Sequence, residues 1–433
     1  MRLVDVTPLT YIPKNLFQIY SYISLKPVGQ YSLVTVEFRK KTLRAVVIKT
    51  RPLNKLEVKK DLNYKLKPIK RVLQYKPCLH NLQMNLAKWI SSYYFEPISL
   101  ILKTVVRNQK LQDRIVLQPQ KGMLDNLFSF KENLKIIEIQ DRHNDNYKLI
   151  KSPRLDLRVV AQKIADLTGA RLVFKDIKPK NNLKIIDLNK EKFLKNQEFL
   201  KSDYFVLNRL GYATLILCRD CGSIKKCKNC EVPMVYHESE KKLICHHCGF
   251  KDKLLLICEI CKGLNLDYLG TGQEKIKYKN TPVYTFNKNL KPANIIGVVT
   301  MDHILNLPDY QAPERVWHLL CQLSRLAKKL LVQTYYPQHH AFDLFSFWQK
   351  ESAIRSNLPA SFVKLTYKNK NETRAREEAF KIAELVNPYL GPAPAFIPKV
   401  NGYYIWNLVL SDPKTIPELD SGWFVERDPS SFL

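Results

Sequence analysis

Glycine is scarce in this chain, 13 in 433 residues, and no glycine is followed by lysine. A P-loop needs Gly-Lys-Ser/Thr, because backbone N–H groups and the lysine close on phosphate together. That motif cannot be written on this sequence. No Asp-Glu dipeptide occurs either. ATP and Mg2+ are therefore doubtful cofactors. No apolar run approaches 18 residues, Leu254–Ile257 being typical of the longest, which argues against a membrane-crossing helix. Met1–Leu16 carries Asp5, Pro8 and Pro13 and no apolar leader core. The expectation is a cytoplasmic, reduced protein without a membrane partner.

Acidic residues are outnumbered. Forty Asp and Glu stand against 70 Lys and Arg, a formal net charge of +30. Such a field favours a polyanion and speeds its capture. A Lys-rich genome composition is the competing explanation for the same number.

What the chain has in concentration is cysteine. Four Cys-x-x-Cys pairs fall between Cys218 and Cys261: Cys218/Cys221, Cys227/Cys230, Cys245/Cys248 and Cys258/Cys261. Eight thiolates fill two tetrahedral four-cysteine zinc sites with none over, at Zn–S distances of about 2.3 Å. The intervals between pairs are five, fourteen and nine residues. The fourteen-residue gap suits a zinc ribbon, so Cys227, Cys230, Cys245 and Cys248 are expected to share one Zn2+. Cys218, Cys221, Cys258 and Cys261 would share the other. His237, His246 and His247 lie close enough in sequence to replace a ligand. A closed thiolate shell leaves no position for substrate, so these zincs point to structure and not to metal catalysis. Cys78 and Cys321 stand alone and read as core residues.

Patterning suggests a multidomain α/β protein with five parts. Residues 1–50 read as a small β domain, with Val34, Val36 and Phe38 on one face of a strand and Leu43–Ile48 as its neighbour. Arg39, Lys40 and Lys41 form a basic hairpin tip, a candidate phosphate contact. Residues 51–66 read as a Lys-rich linker. Residues 67–106 look helical and winged-helix-sized, with Leu82, Leu86, Trp89, Ile90 and Tyr93 on a core face. In 107–200, Leu134–Ile139, Arg171–Phe174 and Lys184–Leu188 read as strands and Arg158–Thr168 as a helix closed by Gly169. A second α/β unit, 201–340, carries the cysteine cluster 218–261 as an insertion. It continues through Asn294–Thr300, a helix near Val316–Leu326, and Leu330–Tyr335. Residues 341–433 read as α+β, with a helix at Arg374–Val386, a stiff turn at Gly391-Pro392-Ala393-Pro394-Ala395 and a strand at Tyr403–Leu410. Tyr403, Tyr404 and Trp406 read as core strand residues, with base stacking as the alternative.

Several blocks resemble the primosomal protein N′ family, the PriA replication-restart helicases. The block Leu207-Asn208-Arg209-Leu210-Gly211-Tyr212-Ala213 runs into Cys218-Arg219-Asp220-Cys221-Gly222. Cys245-His246-His247-Cys248-Gly249 and Gly270-Thr271-Gly272-Gln273-Glu274-Lys275 follow in the same order. Gly391–Ala395, Gly402-Tyr403-Tyr404-Ile405-Trp406, the stretch Glu314-Arg315 through Gln322 and the ending Asp428-Pro429-Ser430-Ser431-Phe432-Leu433 add to it. The resemblance implies a DNA 3′-end-binding domain, a winged helix, two RecA-like lobes, a two-zinc insertion with nested cysteine pairs, and a C-terminal DNA-binding domain. It implies branched or forked DNA as partner, with replication-restart or replisome proteins.

The same resemblance marks three departures. No P-loop is present between Gly29 and Gly211, where only Gly122 and Gly169 occur. The family's Asp-Glu-Glu-His slot reads Gln140-Asp141-Arg142-His143, where Asp141 reads as an unpaired surface residue. The slot for the last arginine motif reads Gln322-Leu323-Ser324-Arg325-Leu326-Ala327-Lys328-Lys329, without its glycines. The first lobe would also be truncated. The expectation is a zinc-containing DNA-binding protein of replication restart whose motor is inactive. Two readings compete: an ATP-dependent 3′-5′ DNA helicase with an atypical or partner-completed nucleotide site, and a zinc-ribbon adaptor for RNA or protein.

Overall fold

The computed structural model describes the chain except residues 53–65, 107–110, 120–122, 150, 210, 271, 277–280, 287–289, 357, 421, 430 and 433. Most of the expected linker 51–66, together with Gly122, Leu210, Thr271, Ser430 and Leu433, lies outside the described residues. The chain divides into two compact units, Met1–Asp176 with Val425–Arg427, and Ile177–Phe424 with Asp428–Leu433.

The first unit opens with an antiparallel sheet of β1 (Arg2–Pro8), β2 (Tyr20–Ser24), β3 (Leu33–Phe38), β4 (Lys41–Pro52) and β5 (Arg71–Gln74), in the order β2-β1-β4-β3-β5. Strict alternation along β3 buries Val34, Val36 and Phe38. Val34 and Val36 pack with Val4, Val6, Tyr22, Ala45 and Val47, and Phe38 meets the Tyr20 ring edge-on. β5 corrects the expectation that 67–106 is helical throughout. Arg71–Gln74 extends the sheet edge by pairing with β3. The helices begin only at Asn81–Tyr93, where the His80 side chain and Gln83 cap reciprocally, and at Ile98–Val105. Leu86 and Ile90 are fully buried, and Leu82, Trp89 and Tyr93 pack against the same core. The unit ends in a parallel sheet of β6 (Arg114–Leu117), β7 (Ile136–Gln140) and β8 (Arg171–Lys175), in the order β6-β7-β8. The helix Leu157–Thr168 supplies the crossover and closes on Gly169 at φ 72°, the left-handed C-cap that favours glycine.

The second unit is built on a five-stranded parallel sheet. β9 (Leu183–Asp187) and β10 (Tyr204–Val206) precede the cysteine-rich insertion. β11 (Leu215–Cys218), β12 (Val235–His237), β13 (Lys242–Ile244), β14 (Lys251–Lys253) and β15 (Leu266–Leu269) lie inside it. β16 (Val283–Tyr284), β17 (Ala293–Val298) and β18 (Ala327–Thr334) complete the sheet, in the order β16-β10-β17-β18-β9. Both faces are covered, as a parallel sheet requires. Leu330 and Val332 face a cluster with Val316, Leu320 and Phe347, and Leu331 faces Ile186, Phe199 and Phe205. Cys321 is fully buried in the first cluster.

Beyond the sheet, β19 (Phe362–Asn369), β20 (Leu390–Val400) and β21 (Tyr403–Ser411) pair antiparallel beside the helix Glu372–Val386. The segment 391–395 is not a free turn. It is the irregular first half of β20, and its register against β21 shifts twice. Tyr403, Tyr404 and Trp406 are not core residues either: Tyr403 is exposed, the other two are half-buried, and Trp406 leans on Phe380. The buried positions of β21 are Ile405 and Asn407–Leu410.

Candidate metal centres and nucleic-acid interface

The insertion leaves and rejoins the parallel sheet through one antiparallel stem, β11 against β15, with Leu215 opposite Leu269 and Cys218 opposite Leu266. Two glycines permit this. A Cβ on Gly211 (φ +82°) would stand 2.4 Å from Val235 and 2.9 Å from the Tyr236 carbonyl. One on Gly270 (φ +81°) would stand 2.2 Å from Thr214. The stem therefore sits flush against the three-stranded ribbon β12-β13-β14.

The four Cys-x-x-Cys turns are copies of one knuckle. In each, the first cysteine's carbonyl accepts the N–H four residues on, at Gly222, Glu231, Gly249 and Lys262, over 2.7–3.1 Å. Its own N–H donates to the carbonyl five residues on, at Ser223, Val232, Phe250 and Gly263, over 2.8–2.9 Å. The residue that follows the second cysteine has positive φ in all four knuckles, between 57° and 74°. Glycine serves twice; Glu231 and Lys262 take the same strained conformation. The knuckle aims both sulfurs at one point.

The knuckles pair in the nested way. Cys218, Cys221, Cys258 and Cys261 form one cluster and Cys227, Cys230, Cys245 and Cys248 the other, each set of sulfurs lying within 4.8 Å of one another. Individual separations are 3.6 Å for Cys218–Cys261, 3.7 Å for Cys221–Cys258 and 3.7 Å for Cys227–Cys248. Two sulfurs on one tetrahedral ion stand about 3.8 Å apart; a disulfide would bring them to about 2 Å. The thiol donor sets fit zinc, and the two clusters are compatible with two zinc ions.

None of the three histidines joins a cluster: His247 is exposed, and the other two take other work. His237 Nδ1 meets Glu274 at 2.8 Å and its Nε2 meets His246 at 3.0 Å, while Glu274 accepts the Glu238 N–H at 2.8 Å. Glu274, from the Gly-rich block after the fourth pair, thus pins the ribbon to the stem. Lys225, nearly buried, reaches Asp252 of the inner ribbon at 2.9 Å and Glu259 of the outer knuckle. Neither link was expected from the sequence, because both join residues separated by a metal knuckle.

At the basic hairpin tip, Arg39 and Lys40 have φ of 49° and 62°. Two left-handed residues in a two-residue loop match the twist of β3 and β4. Arg39, Lys40 and Lys41 are all exposed.

The slots where a motor would hold its carboxylates and arginines are filled by local contacts. Asp141 is a buried turn residue at φ 52°, not a surface carboxylate; its Oδ2 accepts from Asn144 at 3.1 Å. On β7, Glu138 is held down at about 2 by a hydrogen bond from Gln140 and by Lys175 and Arg114 alongside. At the third slot the helix Ala312–Leu326 passes into β18 with no intervening loop. The Asn182 amide ties the Ser324 and Ala327 carbonyls at 2.8 Å each, and Ser324 is fully buried. Arg325 is exposed.

Comparison with known proteins places these features. The model of the PriA 3′ DNA-binding domain (3′BD) matches residues 9–107, and that of the PriA DNA helicase Cys-rich region (CRR) matches residues 227–253. Replication restart protein PriA of Bacillus subtilis (strain 168) is 23% identical over 395 residues, covering 67% of this chain and 49% of that protein. PriA of Rickettsia felis is 29% identical over 292 residues, covering 57% and 43%, and PriA of Rickettsia prowazekii 25% over 433, covering 76% and 67%. The chain spans about half the length of the first relatives it matches. From its N-terminal sheet to its two-centre ribbon, the chain resembles the replication restart protein PriA.

Proposed function

We propose that this protein grips forked DNA during replication restart, and that its motor is inactive. The observation that carries the reading is the joint presence of a 3′BD-like N-terminal sheet and a Cys-rich ribbon holding two four-cysteine clusters. Under it, the eight cysteines ligate two zinc ions, which supply rigidity and no chemistry of their own. Arg39, Lys40 and Lys41 contact phosphate. The division is 1–50, 67–106, 107–200, 201–340 and 341–433, a DNA-binding β domain, a winged-helix-like unit, two RecA-like lobes and a C-terminal DNA-binding domain, with two adjustments: the edge strand β5 belongs with the first sheet, and β9, expected in the first lobe, belongs to the sheet of the second. The protein acts in the cytoplasm beside other replication-restart proteins. Inactivity of the motor rests on the sequence, which offers no Gly-Lys-Ser/Thr and no Asp-Glu.

The test pairs two measurements on the full chain. Binding to a forked duplex with a 3′ end at the branch should exceed binding to the same duplex unbranched, and should weaken steeply with salt. Changing Arg39, Lys40 and Lys41 together to Ala should lower the log–log salt slope by about 2–3, since each phosphate contact contributes roughly 0.9. ATP hydrolysis should stay at background with and without the fork. DNA-stimulated turnover would overturn the inactive motor; equal affinity for linear duplex and for RNA would overturn the fork.

A further inference from the structure

In three of the four knuckles the second cysteine's sulfur receives a hydrogen bond from the residue two positions on. Ser223 serves Cys221 through its backbone, with its hydroxyl 3.1 Å away. Phe250 N–H serves Cys248 at 3.4 Å, and Gly263 N–H serves Cys261 at 3.4 Å. The fourth knuckle departs. Cys230 Sγ takes its donor from the Asn401 N–H, at 3.5 Å and 171 positions along the chain. Asn401 and Gly402 form the tip of the β20–β21 hairpin.

The tip is attached at other points as well. Gly402 N–H donates to the Asn229 carbonyl, inside the knuckle, at 2.9 Å. Lys399 Nζ meets Glu231 at 2.5 Å and the Tyr404 hydroxyl at 3.1 Å. The hydrogen bond with Glu231 holds the Lys399 ammonium above its usual value. Val400 packs against the apolar cluster of Ile216, Met234 and Leu243 around the inner cysteines. The tip is shaped to fit: Asn401 and Gly402 both have positive φ, 52° and 80°, which turns successive N–H groups toward the knuckle.

We propose that the inner metal centre is a two-segment site, in which the hairpin tip Lys399–Gly402 clasps the Cys227/Cys230 knuckle from outside. The proposal rests on the reading that both clusters hold zinc. An N–H directed at a zinc-bound thiolate stabilises the charge that the ion requires, and such outer contacts commonly govern metal retention. Coupling of this kind is reciprocal. A docked hairpin slows loss of the inner ion, and the inner ion holds the hairpin, with β21 and the sheet behind it, on the ribbon. Among the described residues the outer centre has no such clasp, and it serves as the internal control.

The experiment follows zinc transfer from the purified holoprotein to a chromogenic chelator. Two ions should leave in two phases, and in Cys261→Ser, which disables the outer site, only the slow phase should remain. Lys399→Glu sets two carboxylates against each other at the clasp and should accelerate the slow phase on the order of tenfold, leaving the fast phase unchanged. Lys399→Glu with Glu231→Lys should restore it. A measurement independent of variants is amide exchange in the wild type: after the inner ion is removed, protection should fall at Asn401 and Gly402. Unchanged tip amides, an unchanged slow phase, or equal acceleration of both phases would overturn the clasp. Fewer than two zinc ions in the purified chain would instead sink the metal reading, and the clasp with it.

Discussion

The two four-cysteine clusters are made from the same knuckle and are embedded very differently. In the inner one, Cys227, Cys230 and Cys245 are buried among Ile216, Met234 and Leu243, and Cys248 is half-buried. In the outer one, Cys221 and Cys261 are exposed, and Leu256, Ile260 and Leu264 nearby stand 73–77% exposed. Identical ligand turns therefore do not make equivalent sites. The inner ion would act as the centre of a small core, where metal and apolar burial support each other. The outer ion would close the mouth of the β11–β15 stem with little but its own ligands and Lys225 to hold it.

The largest effect should come from breaking the inner site. Structural zinc in such modules contributes roughly 10–16 kcal/mol of apparent binding free energy, which is folding free energy for the module. Cys245→Ser should lose one zinc and release the whole ribbon, β12 to β14, read as loss of amide protection across 235–253. Cys261→Ser should also lose one zinc, but the loss of protection should stay within 218–223 and 258–263. If the outer variant melts the ribbon as thoroughly as the inner one, burial does not separate the two centres.

A smaller effect is expected one step from the ligands. Gly211→Ala places a methyl group 2.4 Å from Val235 at a left-handed φ, against backbone as well as side chain. Gly222→Ala meets the same strain of φ with nothing within 4 Å. The first should cost more than about 2 kcal/mol and the second about 1 kcal/mol, by thermal or denaturant unfolding of the zinc-loaded chain. Only the first should loosen the inner ribbon; equal costs would mean that the close packing of stem on ribbon carries no weight.

The sequence made the metal centres legible because eight cysteines at fixed spacing leave few arrangements. Spacing also carried the alternation in β3 and the Gly169 cap, both local patterns. It hid what depends on distant partners. Arg71–Gln74 has no alternation of its own to mark a strand, and only pairing with β3 makes it one. The polar run around Asp141 reads as exposed, yet its turn is closed by Asn144 and by the Lys175 carbonyl, from the neighbouring strand. The clasp at Asn401 was invisible for the same reason: a backbone donor has no residue type. Its one side-chain trace is Glu231, whose partner Lys399 lies 168 positions away.

That trace gives the finest comparison. Glu231 and Lys262 occupy equivalent left-handed positions in the inner and outer knuckles, at φ 57° and 61°. Replacing either by glycine relieves the conformation, a gain of up to about 1 kcal/mol after glycine's own chain entropy is counted. Lys262→Gly should therefore stabilise the outer knuckle and slow its zinc loss a few-fold. Glu231→Gly receives the same relief but gives up the ion pair with Lys399; because the Glu231 carboxylate is half exposed, that pair is worth less than about 1 kcal/mol. The two terms should nearly cancel, leaving the inner zinc off-rate close to that of the wild type. Equal slowing at both sites would mean that the Lys399 pair adds nothing and that the hairpin is held by its backbone contacts alone.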